Sequence, residues 1–217
     1  MHCVKRLFVV KYAHMDTQSE QNTARIIEND TKPSPFSRQG IIEIIKFILL
    51  AVCVVIPVRM FVMQPFIVSG SSMFPTFKDG QYLIVDELSY HFREPARGDV
   101  IVFKPPMNLK TYYIKRIIGL PGETVIINGA NIIIKNEAHP EGFILTQPYI
   151  ETPSDDKIEK TLGQDEYYVL GDNRTASSDS RYWGTLPRKD ITGRAFLRLF
   201  PFTQVSYLPG EYHQIEQ

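Results

Sequence analysis

The chain has 217 residues, and its 24 basic side chains balance its 24 acidic ones. With 43% hydrophobic and 22% charged residues it can fill a packed core, which excludes global disorder. The neutral balance gives no electrostatic reason to expect nucleic acid as a partner.

Residues 1–40 read as a flexible cytoplasmic tail, polar from Asp16 to Gly40 and broken by Pro33 and Pro35. Residues 1–14 differ in character from the polar stretch after them, so Met1 and Met15 are both candidate starts. A membrane anchor helix is predicted over 41–63. Its most apolar part, Phe47 to Met63, rises about 26 Å as a helix, against a hydrocarbon core of roughly 30 Å. Pro57 and Arg59 interrupt that run, and Arg59 lies near its end, where a long side chain reaches the interface. A buried core helix is the alternative. No Ala-x-Ala-like site comes after the run, so an uncleaved anchor is expected rather than a removed signal. Arg25, Lys32, Arg38 and Lys46 precede it, against Arg59 and Lys78 after it. The positive-inside rule then predicts a single pass in the cell membrane, with the N-terminus cytoplasmic and residues 64–217 outside.

From Phe66 onward short β-forming runs alternate with turn signals: Tyr82–Asp86, Val100–Phe103, Tyr112–Ile118, Thr124–Ile127, Ile132–Lys135 and Tyr167–Leu170. The expected fold is mainly β, an antiparallel domain over 64–217 behind one N-terminal transmembrane helix. Asn128-Gly129 predicts a hairpin with a slightly longer loop. The stretch 136–165, polar and containing prolines, reads as a loop or small insertion. Cys3 and Cys53, the two cysteines, are poorly placed to pair, so the domain needs no disulfide. The five histidines are scattered without metal-ligand spacing, and neither metal nor cofactor is expected.

Three constellations carry chemistry. Val68-Ser-Gly-Ser-Ser-Met-Phe-Pro-Thr76 offers serine hydroxyls, weak nucleophiles that need a base close by. In Tyr113-Ile-Lys-Arg-Ile-Ile-Gly-Leu-Pro-Gly-Glu123 strand alternation puts Tyr113, Lys115 and Ile117 on one face, and Ile114 and Arg116 on the other. A lysine desolvated there loses its preference for the ammonium form and becomes a candidate base. Gly171-Asp-Asn-Arg-Thr-Ala-Ser-Ser-Asp-Ser-Arg181 opens on a turn signal, and in it Asp179 could pair with Arg181 and Ser177 could bond a neighbouring amine. Each alone is more often a turn, a snorkelling lysine or an ordered loop than a catalytic element.

Together, Ser-Met-x-Pro-Thr (72–76), Arg-Gly-Asp-Val (97–100), Tyr-Ile-Lys-Arg with Gly-Leu-Pro-Gly (113–122) and Gly-Asp-Asn-Arg with Ser-x-Asp-Ser-Arg (171–181) occur in this order behind one anchor. The set resembles the boxes of the bacterial type I signal peptidases, the Ser-Lys dyad peptidases, over roughly Gln64 to Leu199. The resemblance implies a serine endopeptidase, a hydrolase that removes signal peptides from secretory preproteins with small residues at −1 and −3. It implies Ser72 as nucleophile and Lys115 as general base, with Ser177 bonding the lysine amine and Asp179 and Arg181 as a supporting ion pair. Phe66, Val68, Met73, Phe77, Leu83, Val102, Tyr113 and Ile114 would bind substrate. Ser69 and Ser71 are rival nucleophiles, disfavoured by the spacing to Met-x-Pro-Thr. Some members place a serine donor to the oxyanion two residues before the nucleophile; Gly70 stands there, so main-chain N–H groups, that of Ser72 among them, would serve. Two other readings stay open: a catalytically inactive tethered β-domain that binds exported proteins, and a self-cleaving repressor-type Ser-Lys peptidase.

Overall fold

The computed structural model describes residues 38–61 and 63–212, with side chains at 38–55 and 64–212. The tail expected over 1–40 lies outside the described residues up to position 37. The chain divides into two units, one ending at Val55 and one beginning at Ile56.

Helix α1, Arg38–Phe61, has 24 residues. Its isoleucines, leucines and valines from Ile41 to Val55 are largely exposed. Among the described residues no helix is long and apolar enough to cross a membrane. The stretch described with its side chains, Arg38 to Val55, includes Arg38, Glu43 and Lys46.

The second unit is antiparallel β throughout. Its larger sheet contains β1 (Met63–Ile67), β2 (Tyr82–Asp86), β3 (Val100–Phe103), β4 (Tyr113–Gly119), β9 (Glu166–Leu170), β10 (Leu186–Pro187), β11 (Ile191–Phe200) and β12 (Ser206–Tyr207). The order is β1-β2-β11-β3-β4-β9-β10, with β12 on β11. The smaller sheet runs β7 (Phe143–Ile144), β6 (Asn131–Lys135), β5 (Thr124–Asn128), β8 (Lys157–Thr161). One short helix, α2 (Ser180–Trp183), comes after the loop that leaves β9.

Ile, Val and Tyr at alternate positions produce this pattern because branched and aromatic side chains suit a pleated surface with a buried face. In β5 and β6 alternation is clean: Val125, Ile127, Ile132 and Ile134 are buried and pack with Ile118, Tyr168 and Leu170 of the larger sheet. β3 is buried along its whole length. In β4, Lys115 and Arg116 are shut off from water together with the apolar residues after them.

Three expectations change. The 136–165 segment contains β7 and β8 as well as loop. β8 reads Lys-Ile-Glu-Lys-Thr and is mostly exposed, the charged composition that protects an edge strand from further pairing. The hairpin after β5 is tighter than expected: Asn128 pairs with Asn131, leaving a two-residue loop in which Gly129 takes φ +59. The long strand β11, absent from the expected runs, joins β2 to β3 with two register shifts against β2.

Gly119 ends β4 at a shift in its pairing with β9, where the chain turns into the smaller sheet. A β-carbon there would collide with Val125 and Leu162. Gly119→Ala is therefore expected to destabilise the domain by about 1–3 kcal/mol through overpacking, read as a lowered urea midpoint.

Candidate active site

Ser72 lies in the loop between β1 and β2. The loop is pinned at its base, where Val68 N donates to Gln81 O at 2.9 Å and Gly80 N to Val68 O at 2.9 Å. Gly70, at φ +88, donates its N–H to Asp79 Oδ1 at 2.7 Å. Met73 and Phe77 plug the loop into a core formed with Val68, Leu83, Val100 and Ala195. From the opposite side Asn173 N donates to Ser72 O at 3.0 Å, and Asn173 Nδ2 to Ser71 O at 3.1 Å. The backbone of the serine is thus held from two sides while its hydroxyl points to the lysine.

Lys115 is 3% exposed. Its Nζ lies 2.7 Å from Ser72 Oγ and 2.8 Å from Ile114 O, and 5.3 Å from the centre of the Tyr113 ring. As an ammonium it donates to Ser72; as a neutral amine it accepts the hydroxyl proton. Burial pushes its pKa down to about 8, against the raising influence of the Asp179 and Asp172 charges.

Both aspartates are occupied elsewhere. Asp179 accepts from Arg181 Nε and Nη2, each at 2.8 Å, and from Gly171 N at 3.0 Å. Arg181 also holds Asp156 at 2.8 Å. Asp172 and Arg116 form a two-pronged pair at 2.9 and 2.6 Å, both side chains fully buried. Thr76 Oγ1 donates to Asp172 Oδ2 at 2.5 Å, which ties the serine loop to the same pair.

Ser177 does not bond Lys115 as expected. Its Oγ is buried and without a hydrogen-bond partner. It sits against Gly171, where a β-carbon would collide with it and with the Ser72 carbonyl. A cleft of about 430 Å³ opens beside Ser72 and Lys115. Phe66, Val68, Leu83, Val102, Tyr113 and Ile114 line it, and Ile67, Ser69, Thr111, Tyr112 and Ser178 join them. Met73 and Phe77 do not line it, because each is spent on anchoring the loop in the core. Ser71 is exposed and does not line the cleft, and Ser69 lies in the cleft wall.

Sequence reasoning missed the structural parts played by Arg116, Asp172, Thr76 and Gly171. The signal was present for Arg116, a second cation inside an apolar strand. Gly171→Ala is expected to lower kcat/KM by more than about tenfold, since a misplacement near 1 Å costs that or more. The readout is peptide-bond cleavage beside a thermal melt, which shows whether the variant remains folded.

The family described as signal peptidase, peptidase S26, matches residues 41–200. A signal peptidase I from Leptolyngbya laminosa is 38% identical over 182 residues, covering 80% of this chain and 87% of the relative. A signal peptidase I P from Bacillus subtilis subsp. natto is 34% identical over 176 residues, covering 78% and 95%. A solved signal peptidase I structure from Enterococcus faecalis V583 is 30% identical, covers 47% of this chain and 97% of that one, and has a TM-score of 0.40. On the extent of the family match and of the identity to these relatives, the chain belongs to the signal peptidase family, peptidase S26.

Proposed function

We propose that this chain is a membrane-anchored serine endopeptidase that removes N-terminal signal peptides from exported preproteins, with Ser72 as nucleophile and Lys115 as general base. The observation that carries the reading is the 2.7 Å contact between a buried lysine amine and a serine hydroxyl at a cleft. Neutral Lys115 takes the proton of Ser72 as Oγ attacks the scissile carbonyl, giving a tetrahedral intermediate. Lys115 then passes the proton to the leaving amine, and the ester on Ser72 forms. The Lys115 amine, neutral again, takes a proton from the water that attacks this ester and returns it to Ser72 Oγ as the acid leaves. Gly70 has no side chain to meet the oxyanion, so main-chain N–H groups serve, that of Ser72 among them. Asp179, in the loop after β9, is held by Arg181 and so kept from bonding the lysine. The apolar cleft suits short side chains at the first and third positions before the cut.

The anchor is the stretch 41–63. The span is read from the sequence alone: the apolar run Phe47 to Met63 would rise about 26 Å as a helix, against a roughly 30 Å hydrocarbon core. The Lys/Arg excess before the run Phe47 to Met63 orients the N-terminus inward and the β unit outward. Protease added outside spheroplasts is expected to digest the β unit. Its protection until lysis would reverse the orientation.

Ser72→Ala and Lys115→Ala are each expected to lower cleavage of a model preprotein in detergent by about a thousandfold or more while the fold is retained. In the wild type the rate should rise with pH through about 8, as Lys115 loses its proton, rather than near 10.4, where an exposed lysine titrates. An ascending limb near 10, or activity in either folded variant, would remove Lys115 or Ser72 from its role.

A further inference from the structure

Arg116 sits next to Lys115 in the chain, and each of its nitrogens has a partner. Nε and Nη2 hold Asp172, while Nη1 donates to Gly98 O at 3.0 Å and to Gly210 O. The Tyr149 ring covers the guanidinium, 3.8 Å from ring centre to its carbon, and Tyr212 meets Tyr149 edge-on at 5.7 Å. Gly210 and Tyr212 lie beyond the 41–200 span that the family matches.

The turn that delivers them is built for this placement. Leu208 takes φ +44, a region that side-chain-bearing residues enter only when the surroundings impose it. Here Leu208 N donates to Phe196 O at 2.8 Å, and Glu211 N to Leu208 O at 3.1 Å. Gly210 takes φ +77, and a β-carbon there would collide with the Thr76 methyl. The turn therefore meets the serine loop and the lysine strand at once.

We propose that the segment Leu208–Tyr212 is a positioning clamp for the active site, holding Arg116 against Asp172 through the Gly210 carbonyl and the Tyr212–Tyr149 contact. This rests on the Ser72–Lys115 reading above. Asp172 reaches Thr76, in the loop that carries Ser72, and Arg116 is peptide-bonded to Lys115, so loosening the pair disturbs the nucleophile and the base together. The charges acting on Lys115 are Asp172, from the loop after β9, and Asp179, which Arg181 holds; the Tyr113 ring faces it from its own strand. Around the pair stand Tyr149 and Arg174, and burial keeps the Tyr149 hydroxyl protonated by pushing it up to about 12. A loosened Arg116 leaves the Asp172 charge less neutralised, which favours the Lys115 ammonium and moves the rate limb to higher pH.

The test compares wild type, Tyr212→Phe, Tyr212→Ala and a chain ended after Leu208, each in detergent with a model preprotein. Tyr212→Phe keeps the ring contact and should behave as wild type. Tyr212→Ala should lose about tenfold in kcat/KM, chiefly in kcat, with its ascending limb displaced upward by about half a pH unit. The shortened chain should lose more, and if it fails to fold by near-UV circular dichroism the Tyr212 pair decides. A folded Tyr212→Ala with wild-type kcat/KM and an unmoved limb overturns the clamp alone. A wild type that does not cleave, or a Ser72→Ala control that does, overturns the signal-peptidase reading and the clamp with it.

Discussion

The site depends on one buried ion pair, Arg116 with Asp172, both fully shielded from water. Taking two such charges out of water is costly, and their attraction offsets this only when the geometry is good and the remaining donors and acceptors are satisfied. Here they are: the guanidinium serves Asp172, Gly98 and Gly210, and the carboxylate also accepts from Thr76. The result is less a source of stability than a junction. It joins the loop carrying the nucleophile, the strand carrying the base and the loop after β9. Losing either partner would leave the other as an uncompensated charge, so the three segments are held to one arrangement.

The same junction bears on the chemistry of the lysine. A carboxylate bonded to Lys115 would hold it as an ammonium and silence it as a base. Two aspartates act on it through space, yet each is bonded to an arginine, Asp172 to Arg116 and Asp179 to Arg181. With those charges largely answered, desolvation prevails and the pKa falls to about 8. Burial of a base and removal of acids from its reach are two requirements, and different residues meet them.

Small residues serve the same end by letting backbone come close. Gly171 has no β-carbon because the Ser72 carbonyl and the Ser177 hydroxyl occupy the space. Gly70 takes a positive φ and hands its N–H to Asp79, which shapes the turn ahead of the nucleophile. Met73 and Phe77, apolar and near the serine, look like pocket residues in sequence, but they act as the plug that keeps the loop seated.

The sequence by itself determined the β class and the places of six of the twelve described strands, β2 to β6 and β9, because alternation and turn chemistry are local properties. It brought Ser72 and Lys115 forward as candidates through the ordered boxes around them. It did not reveal β8, whose exposed, charged residues hide a strand that exists by pairing with β5. Nor did it reveal that Ser177 makes no bond to Lys115, or that Arg116 reaches Asp172 across 56 positions of chain. Those were decided by tertiary structure alone. Which charges meet, and which hydroxyl faces an amine, depends on how sheets and loops close over one another, and a spacing along the chain carries no record of that distance.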